Sequence, residues 1–221
     1  MIVIENLTKK FNEDTNLHFN NLTFEDGKSY AIVGPSGCGK STLLNLISGI
    51  IKPDNGEIIV TPTQTDKFIV SQLNEKQKDK FRFNHIGYVF QDYKLIEEFS
   101  VIDNLELLNL NGKKYSEKDF DIILERVQLS HKKKQKVKTL SGGEKQRIAI
   151  ARALVKKSNI ILADEPTESL NEELSHEIVK LLIRLSKEDN KTVIMVTHDN
   201  SLTKYFDKTI NISELFNKGV A

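Results

Sequence analysis

Residues 34–42 read GPSGCGKST, two glycines five apart with Lys and Ser directly after the second, which is a phosphate-binding pattern. Gly34, Gly37 and Gly39 let the backbone turn where a β-carbon would clash, so successive N–H groups and the start of a helix converge on an anion. Pro35, Ser36, Cys38 and Thr42 complete that loop. Lys40 is placed to neutralise the β- and γ-phosphates of a nucleoside triphosphate while the Ser41 hydroxyl ligates Mg²⁺, a division of labour that needs the two side chains adjacent at the helix start. A glycine-rich turn with no ligand is the competing reading. The apolar run Tyr30, Ala31, Ile32 and Val33 before the loop and the helical residues from Leu43 after it give the required order of strand, loop and helix, and weigh against that reading.

Other residues point to the same chemistry. Ile160, Ile161, Leu162 and Ala163 form an apolar strand that runs into Asp164 and Glu165. Ligands of open α/β sheets bind at the carboxyl ends of strands, where a carboxylate can face Mg²⁺. With Pro166 following, the acidic pair has a second reading as a helix cap. His198 ends the next strand in the same way, and Gln91, at the end of the apolar run at 86–90, can reach metal or water through its amide oxygen. Residues 140–147 read LSGGEKQR; Ser141, Gly142 and Gly143 at a helix start offer a hydroxyl and close-approaching amides, a second anion site in one chain.

The elements that must position these groups are legible as periodicity. Ile2 and Ile4, Leu17 and Phe19, and Leu22 and Phe24 alternate like strands, an antiparallel layer leading into the core, with Gly27 at a turn. Gly49 ends the first helix, and a turn at 53–56 delivers the strand at 57–60. From residue 99 to about 157 the pattern turns helical: Ser116 and Asp119 make a capping box, and Phe120, Ile123, Leu124 and Val127 share one face. Strand then returns at 160–163, helix follows with Leu174, Ile178, Leu181, Leu182 and Leu185 on one face, and strand follows again at 192–197. The expectation is an α/β fold, a phosphate-loop core with a mainly parallel sheet, an N-terminal antiparallel β layer and an inserted helical subdomain. As one domain it divides into core at about 1–98 and 158–221 and subdomain at about 99–157. The basic run at 131–138 reads as a solvated connector rather than a contact with anionic lipid.

Composition narrows little further. The 221 residues, 38% hydrophobic, suffice for a sizeable core, and 32 basic against 31 acidic side chains give a net charge of +1, so no global field marks nucleic acid as a partner. The lone cysteine, Cys38, excludes an internal disulfide, fits a reducing compartment and reads as small-residue packing rather than a redox centre. Neither a signal peptide nor an apolar run of about 18 residues appears, so the expected location is cytoplasmic.

GPSGCGKST, Gln91, LSGGEKQR, ILADEPT at 161–167 and His198, in that order along the chain, resemble the nucleotide-binding subunits of ATP-binding-cassette transporters over essentially the whole chain. The resemblance implies ATP and Mg²⁺ as ligands, and a second copy of the chain whose Ser141, Gly142 and Gly143 cap the γ-phosphate held by this copy's loop, two ATP being sandwiched in a head-to-tail dimer. It implies that Lys40, Glu165 and His198 are catalytic, that Ser41, Gln91 and Asp164 hold the metal, and that Glu165 polarises the attacking water. Phe11 stands where the family usually stacks an aromatic, often Tyr, on adenine, and Asn171 stands where it usually has Asp. Residues 86–107 resemble the branch serving lipoprotein release, macrolide and antimicrobial-peptide export, and a cell-division complex. The implied function is an ATPase motor, peripheral on the inner face of the membrane, for a separately encoded permease; the alternative is a regulatory ATPase that transmits force without transport. A permease helix is expected to dock at 91–101, where Tyr93, Leu95, Ile96 and Phe99 are apolar beyond what a water-facing segment needs, unless they pack inside the helical block.

Overall fold

The computed structural model describes residues 1–11, 16–63, 65–112 and 115–215; the last six residues of the expected second core segment lie outside the described residues. The chain begins with β1 (Ile2–Lys10), β2 (Asn16–Phe19), β3 (Leu22–Phe24) and β4 (Ser29–Val33), followed by α1 (Lys40–Ile47). Next come β5 (Asn55–Val60), β6 (Phe68–Ile69), α2 (Glu75–His85) and β7 (Ile86–Val89). The helical block contains α3 (Val101–Glu106), α4 (Glu117–Arg126) and α5 (Gly142–Val155), and the chain closes with β8 (Ile160–Asp164), α6 (Glu172–Glu188), β9 (Thr192–Thr197) and β10 (Lys208–Asn211). No helix among the described residues is long and apolar enough to cross a membrane.

Two sheets carry the fold. The antiparallel one runs β2-β1-β5-β6, with β3 also on β1, and the parallel one runs β10-β4-β9-β8-β7. The inner strands of the parallel sheet, β4, β9 and β8, are apolar on both faces because both are covered. Ile160 and Leu162 of β8 join the core shared with β1, β3 and α1, while Ile161 and Ala163 turn to the core built from α4, α5 and α6. That alternation fixes register, since a slip of one residue would exchange the two faces of the strand. Gly56 shows how tightly the antiparallel sheet is set: it sits at φ 84, and a Cβ there would lie 2.4 Å from the Asn6 carbonyl oxygen, beside the register shift between β1 and β5.

The helical expectations are met at residue level. Ser116 and Asp119 form the capping box of α4, and Phe120, Ile123, Leu124 and Val127 are buried. α6 begins at Glu172 with Asn171 as its N-cap, so Asp164 and Glu165 are not caps, which removes that reading of the acidic pair. Two corrections follow. The basic run at 131–138 is pinned rather than simply solvated: Lys133 reaches Glu117 and Asp121 of α4, Lys132 reaches Glu144, Lys138 reaches Glu98, and Val137 is fully buried. In the segment after Gln91, Tyr93 and Leu95 pack against the helical core, whereas Ile96 and Phe99 are exposed, so only part of that apolar run is surface.

Candidate functional site

The parallel sheet brings the carboxyl ends of β4, β8 and β9 to one edge. From β4 the chain enters the glycine loop; Gly37 sits at φ 79 with open space where a Cβ would stand, and Gly39, at φ 94, is the N-cap of α1. Both conformations are left-handed and suit glycine. Lys40 opens α1 and is buried, its Nζ donating to the carbonyls of Gly34 and Pro35 at 2.9 Å each and lying 3.1 Å from Glu165 Oε1. Ser41 Oγ donates to Asp164 Oδ1 at 2.7 Å.

β8 delivers the two carboxylates. Glu165 is held in the left-handed region at φ 42, a conformation uncommon outside glycine and found where a site needs a particular side-chain direction. Its N–H donates to the Val196 carbonyl of β9 at 3.1 Å, which locks its position, and its other carboxylate oxygen meets His198 Nδ1. Glu165 is buried while His198 is exposed, so the carboxylate links an interior cation to a ring at the surface. Gln91, at the end of β7, donates its amide to Glu168. The structure thus joins Lys40, Ser41, Asp164, Glu165 and His198 in one network and ties Gln91 to it through Glu168, a residue not foreseen. A second unforeseen member is Tyr88, whose hydroxyl donates to Asn45 Oδ1 at 3.2 Å beside the Asp164 carboxylate. Tyr88 lies on β7 opposite Leu162 of β8, and its hydroxyl titrates above the ordinary range because it is buried beside that carboxylate.

Burial holds the Asp164 carboxyl above its usual range, and the neighbouring Glu165 charge adds to this, against the pull of the Ser41 and Tyr88 hydroxyls and of Lys40. A raised carboxyl value means that the ionised form costs folding stability at neutral pH, and that the cost fades as pH falls through the folded value and is gone below the ordinary one. Asp164→Asn is therefore expected to raise the melting temperature near neutral pH, by a few °C if about 1 kcal/mol moves a chain of this size by about 2–4 °C. The gain should vanish in acid. A melting temperature that is unchanged or lower at neutral pH contradicts the assigned charge burden.

Ser141 is the N-cap of α5, its hydroxyl accepting from the Glu144 N–H at 3.3 Å while Glu144 accepts from the Ser141 N–H at 2.8 Å. Gly142 is exposed; Gly143 is buried under Leu174, where a Cβ would come within 2.6 Å of that side chain. Phe11, directly after β1, is 54% exposed. Cys38 is half-buried, 3.2 Å from where a Cβ on Gly34 would stand.

The family model described as ABC transporter matches residues 17–168. The chain belongs to the ABC transporter family. Among the cassettes it is similar to, the ABC transporter ATP-binding protein YtrE of Bacillus subtilis is 42% identical over 184 residues, 82% of this chain and 78% of the relative. The lipoprotein-releasing system ATP-binding protein LolD of Bacteroides fragilis is 38% identical over 216 residues, 96% and 97% of the two chains. The solved ATP-binding cassette MJ0796, in a dimeric post-hydrolysis state bound to ADP and Pi, superposes with a TM-score of 0.80 at 33% identity over 96% of this chain and 94% of its own. The cassette is α/β with a phosphate-loop core, binds ATP and is an ATP hydrolase, the ATPase subunit of a transporter.

Proposed function

We propose that this cassette is the motor of a separately encoded membrane permease, an exporter or extruder of lipophilic or peptide-like molecules, and that two copies close head to tail around two ATP. The observation that carries the reading is the contact set in which Ser41 Oγ meets Asp164 while Lys40 and His198 meet opposite oxygens of Glu165. These donors fit a magnesium nucleotide: a hydroxyl and a carboxylate 2.7 Å apart are the hard oxygen ligands Mg²⁺ takes, and the glycine loop leaves open space beside Gly37 for phosphate.

In this reading Gly34, Pro35, Ser36, Gly37, Cys38, Gly39 and Thr42 cradle the phosphates through the backbone, and Lys40 exchanges its loop carbonyls for phosphate oxygens. Ser41 and Asp164 hold Mg²⁺, with Gln91 completing its surroundings. Glu165 orients and polarises the attacking water, and His198 contacts the γ-phosphate. Ser141, Gly142 and Gly143 of the second copy close the site, the helical subdomain at about 99–157 serving to carry them. A permease contacts the cassette near 91–101, which holds it at the inner face of the membrane. The resemblance to lipoprotein-release cassettes supports the export direction. Cells that express the Glu165→Gln chain in place of the native one should accumulate the cargo; efflux unchanged with hydrolysis lost would favour a regulatory ATPase that moves no solute.

The same reading assigns adenine to Phe11. An exposed ring at the end of β1 offers a π-face and no hydrogen bond, so Phe11→Ala should weaken ATP binding by about 1–3 kcal/mol with little effect on folding. Equal affinities of the two proteins for ATP would assign the base to another residue.

A further inference from the structure

Beside the strand end that carries Glu165, a cavity of about 430 Å³ opens between the ends of β8 and β9 and the start of α6. Four carboxylates line it, those of Glu165, Glu168, Glu172 and Asp199, together with the His198 ring. The rest of the lining is Leu170 and hydroxyl side chains, and no Lys or Arg among the described residues contributes. A concave surface of one charge sign concentrates ions of the other. Within it, one ligand atom each from Glu165, Glu168 and His198 lies within 4.8 Å of the other two. Glu165 is buried and fixed through its backbone bond to Val196, whereas Glu168 and His198 are exposed and free to turn.

We propose that Glu165, Glu168 and His198 form a binding site for a transition-metal dication of the Zn²⁺ kind, distinct from the Ser41 and Asp164 pair assigned to Mg²⁺, and that its occupation stops ATP hydrolysis. The donor set selects the ion. Carboxylate oxygens alone suit Mg²⁺ or Ca²⁺, but an imidazole nitrogen among them favours Zn²⁺, Ni²⁺ or Cu²⁺. Ligand atoms about 2.0–2.2 Å from a tetrahedral ion stand about 3.4 Å from one another, so rotation of two surface side chains closes the set. The ion replaces the hydrogen bond between His198 Nδ1 and Glu165, the Nδ1 proton passing to Nε2 or to solvent. Lys40, 3.1 Å from the other oxygen of Glu165, keeps its own contact. Gln91 donates to Glu168 and orients that carboxylate, as outer partners of metal ligands do. Binding stands on this geometry alone. The loss of hydrolysis rests also on the reading that Glu165 polarises the attacking water and His198 meets the γ-phosphate, since a metal on both side chains withdraws them from those tasks together.

Calorimetric titration of the full, nucleotide-free chain with Zn²⁺ in excess Mg²⁺ tests binding, and Co²⁺ in its place should give the intense visible bands of a four-coordinate site. Glu168→Gln and His198→Ala should each weaken Zn²⁺ binding by at least about tenfold, since even the outer partners of metal ligands contribute about 10- to 100-fold. Both side chains are exposed, so the variants should melt close to the native chain. Hydrolysis is then followed at ATP well below half-saturation, with each chain compared with its own metal-free rate. Free Zn²⁺ buffered at about ten times its dissociation constant should leave about a tenth of the native rate, restored by a chelator, whereas Glu168→Gln at the same free Zn²⁺ should keep at least about half of its own. Zn²⁺ binding that is equal in the native chain and both variants, absence of binding in excess Mg²⁺, or a six-coordinate Co²⁺ spectrum overturns the proposal. Zn²⁺ that needs Glu168 and His198 and stays bound during undiminished turnover upholds the site, overturns its inhibitory role and takes Glu165 and His198 out of the reaction.

Discussion

Glu165→Gln turns over ATP about 10²- to 10⁴-fold more slowly than the native chain while binding it as tightly, because an amide keeps the shape of the side chain but cannot accept a proton or polarise water as a carboxylate does. The site sharpens that expectation. Glu165 is buried, fixed through its backbone to β9 and held between Lys40 Nζ and His198 Nδ1, so the substituted amide stays in place. Removing its charge also relieves the repulsion with Asp164, which offsets part of the lost ion pair with Lys40. Single-turnover hydrolysis and an equilibrium ATP titration on the same preparation check both halves of the statement. Native turnover would take Glu165 out of the reaction.

Lys40→Ala has the second large effect, and it acts on binding as well as on rate. In the native chain the Lys40 ammonium satisfies two loop carbonyls and faces Glu165 from a position 4% exposed. With alanine the adjacent Asp164 and Glu165 carboxylates lose their nearest interior cation, and the phosphates lose a charge-assisted contact. Hydrogen bonds to charged groups contribute about 1.5–3 kcal/mol each, so ATP affinity should fall by about 10- to 100-fold. Loss of one electrostatic stabiliser of the transferring phosphoryl group adds a rate effect of about 10²- to 10³-fold. A titration in which Lys40→Ala binds ATP within about twofold of the native chain contradicts the assignment of Lys40 to phosphate.

What was legible in the sequence was whatever local spacing determines. The glycine loop, the apolar strand at 160–163 and the striped helix ending near Leu185 were readable because burial on both faces or on one face writes a period of its own. β10 was not, since its four residues, KTIN, are largely exposed and become a strand only by pairing with β4 at the sheet edge. The start of α2 is marked in the sequence too, by the capping box of Asn74 and Gln77, but its polar residues carry no apolar stripe to show where it ends. At the site, Asp164, Glu165 and His198 were found by their strand-end positions. The contacts among Lys40, Glu165 and His198 were not, because they depend on the order in which β4, β9 and β8 lie side by side.

Some residues hold their places for two reasons. Ser141 reads as an anion contact, and it also caps α5 with Glu144; the spacing of Ser141 and Glu144 shows that box in the sequence itself. Gly143 offers its amide, and its missing Cβ is what lets Leu174 pack on α5. Asn171 keeps the N-cap bond to the Leu174 N–H that an aspartate would also make, so this departure from the family removes a charge without removing the cap.

The central claim, that two copies close around ATP to complete each other's sites, is tested most directly by light scattering of Glu165→Gln with ATP and Mg²⁺. Uncleaved nucleotide bridges the copies, and by linkage the ligand should drive association. The account predicts a species of twice the chain mass that returns to the single chain when Mg²⁺ is chelated or when Ser141→Arg is added to the variant. A single-chain mass at saturating ATP across the accessible range of protein concentration would contradict it.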